Sequence, residues 1–133
     1  MSTPLTDKDA SSIKAMSDEY IRLCLTQEWD KWKELLDEDI VFLPPDQQIV
    51  EGKKAVRAWI EDFPTMKEAA STVLQVDGRD DLAWGRGMFS MTIEAEPGAL
   101  VSVKGKWTAH YLKQQDGSWL YESLIWNLDE PAS

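Results

Sequence analysis

Apolar positions in the first part of the chain recur at helical spacing. Ile13, Met16, Tyr20, Leu23 and Gln27 share one side, and Ile21, Cys24 and Leu25 widen its apolar face. Thr6 can cap this helix and Asp9 can answer three residues later, so the pattern predicts a helix over about 6–27. Asp30 can cap a short second helix in which Trp29, Trp32, Leu35 and Leu36 share a side, with Asp37-Glu38-Asp39 ending it. Ile40-Val41-Phe42-Leu43 reads as a strand stopped by Pro44-Pro45, and Ile49-Val50 as a small second strand. Gly52 opens a third helix over 53–63, with Ala55, Val56, Trp59, Ile60 and Phe63 apolar and Pro64 beyond. The remainder reads as strands over about 70–77, 80–95, 100–114 and 118–128, separated by Asp77-Gly78, Pro97-Gly98 and Asp116-Gly117. Helices first and an antiparallel meander after them make an α+β layout. A long sheet curling around one helix face leaves a hollow, and the aromatics of the last hairpin suit it.

Bulk properties narrow the function classes. A chain of 133 residues reads as one domain, 1–133, large enough for a hydrophobic core. A net charge of −10 argues against nucleic acid and against an anionic membrane surface. Cys24 is the one cysteine and His110 the one histidine, so neither a disulfide nor a Cys- or His-based metal site is expected. Consecutive acids at 37–39 cannot all point at one ion. The residues supply no phosphate loop, nucleophile elbow, HExxH or CxxC, so no metal and no cofactor is expected. The polar N-terminus and the lack of a long apolar run suggest a cytoplasmic protein.

Several pieces in order carry a family likeness: the helix with Tyr20, the segment from Asp30 to Leu36, Asp39-Ile-Val-Phe-Leu-Pro-Pro, Gly52-Lys-Lys-Ala-Val-Arg-Ala-Trp-Ile, and the terminal stretch from Asp116 to Pro131. In order and spacing the chain resembles the SnoaL-like group of the nuclear transport factor 2-like superfamily. The resemblance implies a cone-shaped α+β barrel, with three N-terminal helices packed on a strongly curved antiparallel sheet. It also implies a homodimer through the outer sheet face. The superfamily holds isomerases, cyclases and dehydratases as well as non-enzymatic modules, so fold alone does not assign function.

Alternation along strands divides the candidates into two faces. By resemblance to the steroid isomerases, the inner set is Trp84, Arg86, Met88, Trp107, Ala109, Tyr111, Leu120, Glu122, Leu124 and Trp126. Tyr20, Trp32, Phe42 and Trp59 close it from the helical side, while His110, Trp119 and Tyr121 face outward. A one-residue slip in register would exchange the faces. Seven tryptophans in a domain this size favour a cavity for a small apolar or aromatic molecule.

The resemblance also sets a chemical expectation. Steroid isomerases need a carboxylate base and an oxyanion hole of Tyr and a neutral acid. The tyrosine falls on Tyr20, but the base falls near Pro44 and the acid near Ala109. Any chemistry would be cofactor-independent acid–base work, such as isomerisation, cyclisation or dehydration. Glu122 or Asp46 would be the base, and Arg86 and Tyr20 the charge stabilisers. The alternative is a non-catalytic ligand-binding or dimerisation module, which the missing carboxylates favour.

Overall fold

The computed structural model describes residues 2–130. Helix α1 runs Asp7–Thr26 and starts as the capping pattern predicts: Thr6 Oγ1 accepts from the Asp9 backbone N–H at 3.1 Å. The same hydroxyl donates to Asp9 Oδ2 at 2.9 Å, so the two side chains satisfy each other. Gln27 ends the helix in a left-handed conformation. The short helix α2, Trp29–Trp32, runs into one 3-10 turn over Lys33–Leu35. Its N-cap is Glu28 rather than Asp30, which lies inside the first turn. The acidic run 37–39 does not end a helix; it belongs to strand β1, Leu36–Leu43, because Leu36 already pairs with Tyr121. Strand β2 is Val50–Glu51, and helix α3, Lys53–Glu61, follows Gly52, whose φ of 93° only glycine adopts without strain.

The predicted meander is present and longer than expected at its start. Strand β3 is Thr65–Arg79, β4 Leu82–Glu96, β5 Ala99–Lys113 and β6 Trp119–Leu128. Sheet order is β2-β1-β6-β5-β4-β3, with every neighbouring pair antiparallel except β1 with β6. The three helices therefore pack on a curved mixed sheet that stays open between β2 and β3. Helix α1 lies against β3 and β6, and α3 against β1. No helix among the described residues is long and apolar enough to cross a membrane.

Two details of the sheet decide what faces the helices. On β4 the inward residues are Ala83, Gly85 and Gly87, all buried, followed by Phe89 and Met91. Their smallness is matched by large partners. A β-carbon on Gly85 would stand 2.9 Å from the Tyr111 hydroxyl, and one on Gly87 2.6 Å from the Trp107 indole. A β-carbon on Gly105 would meet Phe89 at 2.5 Å. Glycine in these strands marks close approach of a ring. On β6, Tyr121 pairs with Tyr111 but Ser123 pairs with His110, so Glu122 is the extra residue of a β-bulge. The bulge lets Trp119 and Tyr121 face inward before it and Leu124 and Trp126 after it.

The core is largely a chain of aromatic rings. Tyr111 meets Tyr121 at a centroid distance of 5.2 Å, Tyr121 meets Tyr20 at 5.3 Å, and Tyr20 meets Trp32 at 5.5 Å. Trp32 stands edge-on to Phe42 at 5.8 Å, and Phe42 meets Trp59 and Trp126 at 5.8 and 5.5 Å. Tilted and edge-on pairs at these separations add stabilisation beyond the area they bury.

Candidate functional site

The ring chain borders a small cavity of about 100 Å³ between α1, α3 and the inner sheet face. Helix α1 contributes Ser17, Tyr20, Ile21 and Cys24, spaced so that they share one side. Helix α3 and the turn after it contribute Trp59, Ile60 and Phe63; β3 contributes Met66, Ala69, Ala70 and Ser71. The other strands bring Phe89, Ser90, Met91, Trp107, Tyr121, Leu124 and Trp126. Among the described residues no ionised side chain lines it. Its walls are apolar apart from a few hydroxyls and the Cys24 thiol.

Of the residues expected to bind a ligand, Trp59, Trp107 and Trp126 line this cavity, beside Tyr20, which was expected to close it from the helical side. Trp32, Phe42 and Tyr111 are fully buried and sit behind it as core. Trp84 and Met88 do not face it: they alternate with Ala83, Gly85 and Gly87 and so lie on the outer face, Met88 51% exposed. The expected inner set was therefore shifted by one residue on β4, where small side chains face inward to admit the rings of β5.

The candidate catalytic residues separate in the same way. Arg86 lies exposed on the outer face, where its Nε donates to Gln75 Oε1 at 3.0 Å. Glu122 sits in the bulge, half-buried and outside the cavity lining. Asp46 is exposed on the loop before β2, in a left-handed conformation with φ 59°, and is also outside the lining. Only Tyr20 is in the wall. Ala109, where the resemblance puts the neutral acid, is fully buried beside Leu124. Trp119 and Tyr121, expected outward, are buried at 4% and 3% exposure, whereas His110 is on the outer face as expected, with Nδ1 2.7 Å from Ser123 Oγ.

Missed lining residues include Ser17, Cys24, Phe89, Met91 and Tyr121. The helical repeat through Ile13, Ser17, Tyr20 and Cys24 could have found the first two. The alternation Ala83, Gly85, Gly87 could have found Phe89 and Met91, since a row of small residues on one strand signals bulky neighbours. Nothing in the residue pattern announced the bulge at Glu122.

Electrostatics in the cavity follow from burial. Burial pushes the Tyr20 and Tyr121 phenols well above their ordinary value, each reinforced by the neighbouring titratable groups. The Ser17 hydroxyl offsets part of this at Tyr121. Burial pushes the Cys24 thiol up to about 12. These groups stay neutral at physiological pH and act as hydrogen-bonding groups, not as bases or thiolate nucleophiles. Two tethers hold the walls: Trp107 Nε1 donates to Ser71 Oγ at 3.0 Å, and Trp59 Nε1 to Gln47 Oε1 at 2.9 Å. Among the described residues Tyr111 OH and Trp32 Nε1 are buried and meet no hydrogen-bond partner. Among the described residues no cluster of His, Cys, Asp and Glu could hold a metal.

A larger, more polar hollow of about 780 Å³ adjoins the cavity and shares Ala69, Ala70, Ser90 and Met91 with it. Glu68, Lys104, Asp129 and Glu130 also line it, and no aromatic ring does.

Comparison with known proteins agrees with this architecture. A family model described as a SnoaL-like domain matches residues 18–121. Among solved structures, the chain is similar to a ketosteroid isomerase-like protein from Erwinia carotovora atroseptica, at 16% identity and a TM-score of 0.83, covering 95% of this chain and 100% of that one. It is similar to a conserved protein from Planctomyces limnophilus, at 17% identity and a TM-score of 0.82, covering 92% and 99%. A nuclear transport factor 2-like protein with a cystatin-like fold from Novosphingobium aromaticivorans also resembles it, at 17% identity and a TM-score of 0.71, covering 95% and 85%. At these identities the structural likeness concerns fold alone. No protein of curated function matches the chain.

Proposed function

The chain belongs to the SnoaL-like domain family, and from that premise we propose that it binds a small apolar or aromatic molecule in the cavity between α1, α3 and the inner sheet face. The observation that carries this reading is the lining: four of the chain's aromatic residues expected at a pocket, Tyr20, Trp59, Trp107 and Trp126, border one cavity, and no ionised group is among the described residues of its wall. An apolar hollow with a few hydroxyls favours neutral ligands and disfavours charged ones, because an ion entering it would lose its hydration without a partner. The same lining argues against acid–base catalysis by Glu122, Asp46 or Arg86, so binding without proton transfer is the preferred form of the reading.

Tryptophan fluorescence tests it directly, since three indoles stand in the wall. Titration with small apolar aromatics should give a saturable change. Glu122→Gln and Arg86→Ala should bind with unchanged affinity, because neither side chain lines the cavity. Absence of any saturable change across a panel of such molecules would overturn the reading.

A second reading, a dimerisation module, rests on a different observation. The outer sheet face exposes Met88 and Ile125 at 51% and 42%, with Trp84 beside them half-buried. The two readings use opposite faces of the sheet and are compatible.

A further inference from the structure

The cavity has two unlike ends. Ser17, Cys24 and Tyr121 are 5%, 2% and 3% exposed and form the inner end. Phe63, Met66 and Met91 are half-exposed and Ala70 is exposed, which makes them the mouth. The hydrogen-bonding side chains gather at the inner end. Ser17 and Tyr20 lie three residues apart on the cavity side of α1, and Tyr121 meets Tyr20 from β6 with ring centroids 5.3 Å apart. The chain has three tyrosines, and the third, Tyr111, packs directly behind Tyr121. Away from this end the polar wall atoms are few, and Ser71 Oγ is already taken by the Trp107 indole.

Size restricts the occupant further. An apolar cavity of about 150 Å³ accommodates benzene, whereas pockets for drug-sized ligands run to about 300–1,000 Å³. At about 100 Å³ this cavity admits one ring at most. Further rings would have to pass the rim of Ala69, Ala70, Ser90 and Met91 into a hollow where Val101, Val103 and Leu128 are interspersed with the charged Glu68, Lys104, Asp129 and Glu130. A fused apolar skeleton would lie there against charged as well as apolar side chains, and so gains less than in the ring-lined cavity.

Building on the binding function proposed above, we infer that the occupant is an uncharged, single-ring molecule carrying one hydrogen-bonding oxygen, of the phenol or cyclic-ketone class, with that oxygen at the Ser17, Tyr20 and Tyr121 end and the ring against the aromatic walls. The hydroxyls there are neutral and can donate to such an oxygen. A carboxylate would have no cation to meet, and a plain hydrocarbon would leave the inner hydroxyls without a ligand partner.

Toluene and phenol have nearly the same shape and test the oxygen alone. In a cavity that is apolar throughout, toluene binds better, because phenol must shed the water on its hydroxyl. Isothermal titration of the full chain with both, and with benzoate, separates the possibilities. Phenol should bind at least as tightly as toluene, and Tyr121→Phe should lower the phenol-to-toluene affinity ratio about fivefold, the worth of one hydrogen bond. Ser17→Ala should lower the ratio in the same direction, which keeps the test decisive if the tyrosine variant fails to fold. Toluene binding with phenol about tenfold weaker would overturn the polar inner end while leaving the binding function standing. Benzoate binding tightest would overturn the uncharged class. No binding by any of the three would overturn both.

Discussion

Gly87 faces Trp107 across the β4–β5 ladder, and the empty space above its α-carbon is filled by the indole. A β-carbon there would stand 2.6 Å from Trp107 Cζ2 and 2.1 Å from the Thr72 carbonyl oxygen. The second neighbour is backbone and cannot swing aside. Gly87→Ala should therefore destabilise the fold by about 1–3 kcal/mol, the ordinary cost of overpacking. It should also displace the indole from Ser71 and shift tryptophan emission to the red as Trp107 gains water. Urea unfolding followed by fluorescence measures both effects. Wild-type stability with unchanged emission would mean that the close approach does not govern this wall.

That relationship also explains which part of the architecture could be read from the residues. Helices α1 and α3 and the meander follow from periodicity and turn residues, and the structure has them close to where the pattern puts them. On β4 the inner set taken by resemblance to the steroid isomerases, Trp84, Arg86 and Met88, lies one residue off the inward set Ala83, Gly85 and Gly87. In this sheet the small residues face inward, to make room for Tyr111 and Trp107. On β6 the alternation is right after Glu122 and wrong before it, since one bulged residue exchanges the faces. The pair Arg86 and Glu122, which strand parity brings together in one hollow, is thereby removed from it. Neither error comes from composition. The bulge is a matter of backbone spacing, which one strand read alone does not contain, whereas the inward face of β4 was signalled by its row of small residues.

Asp9 joins the start of α1 to the terminal hairpin. Trp119 Nε1 donates to its Oδ1 at 3.1 Å, and Lys113 Nζ lies 3.2 Å from the same oxygen. Burial by itself would raise its carboxyl, but the bonds from Trp119, Thr6 and Lys113 together hold it below its ordinary 3.8. The folded state thus binds this proton less tightly than the unfolded chain does. Its contribution to stability is complete above the ordinary value and is lost as pH falls through the lower folded one. Asp9→Ala should cost about 1–2 kcal/mol at pH 7, since the buried Trp119 donor then lacks its acceptor. The gap between variant and wild type should shrink on acidification below pH 3.8. Denaturation curves at neutral and acidic pH compare them. A gap that stays constant with pH would refute a role for the Asp9 charge.

The outer sheet face gives the last prediction. Met88 and Ile125 are large, apolar and about half exposed, on the sheet face opposite the helices. Thr108 lies between Arg86 and Ile125 across the strands, bonded through Oγ1 to the Gly85 carbonyl at 2.9 Å, and Arg86 is held by Gln75. Thr108, His110 and the Arg86 Nε thus already have hydrogen-bond partners within the chain. A stable interface buries about 800 Å² on each partner, an area a six-stranded sheet face can supply. We propose that two copies meet through this face. Sedimentation equilibrium should then give twice the chain mass of 15.2 kDa. Met88→Lys, beside the cations Lys106 and Arg86, and Ile125→Asp, opposite Thr108, would each put charge into the contact and should shift the protein to monomer. Both substitutions point away from the cavity, so fluorescence titration with apolar ligands should still saturate in the monomeric variants. A wild-type chain that sediments as a monomer at every concentration would rule out this dimer.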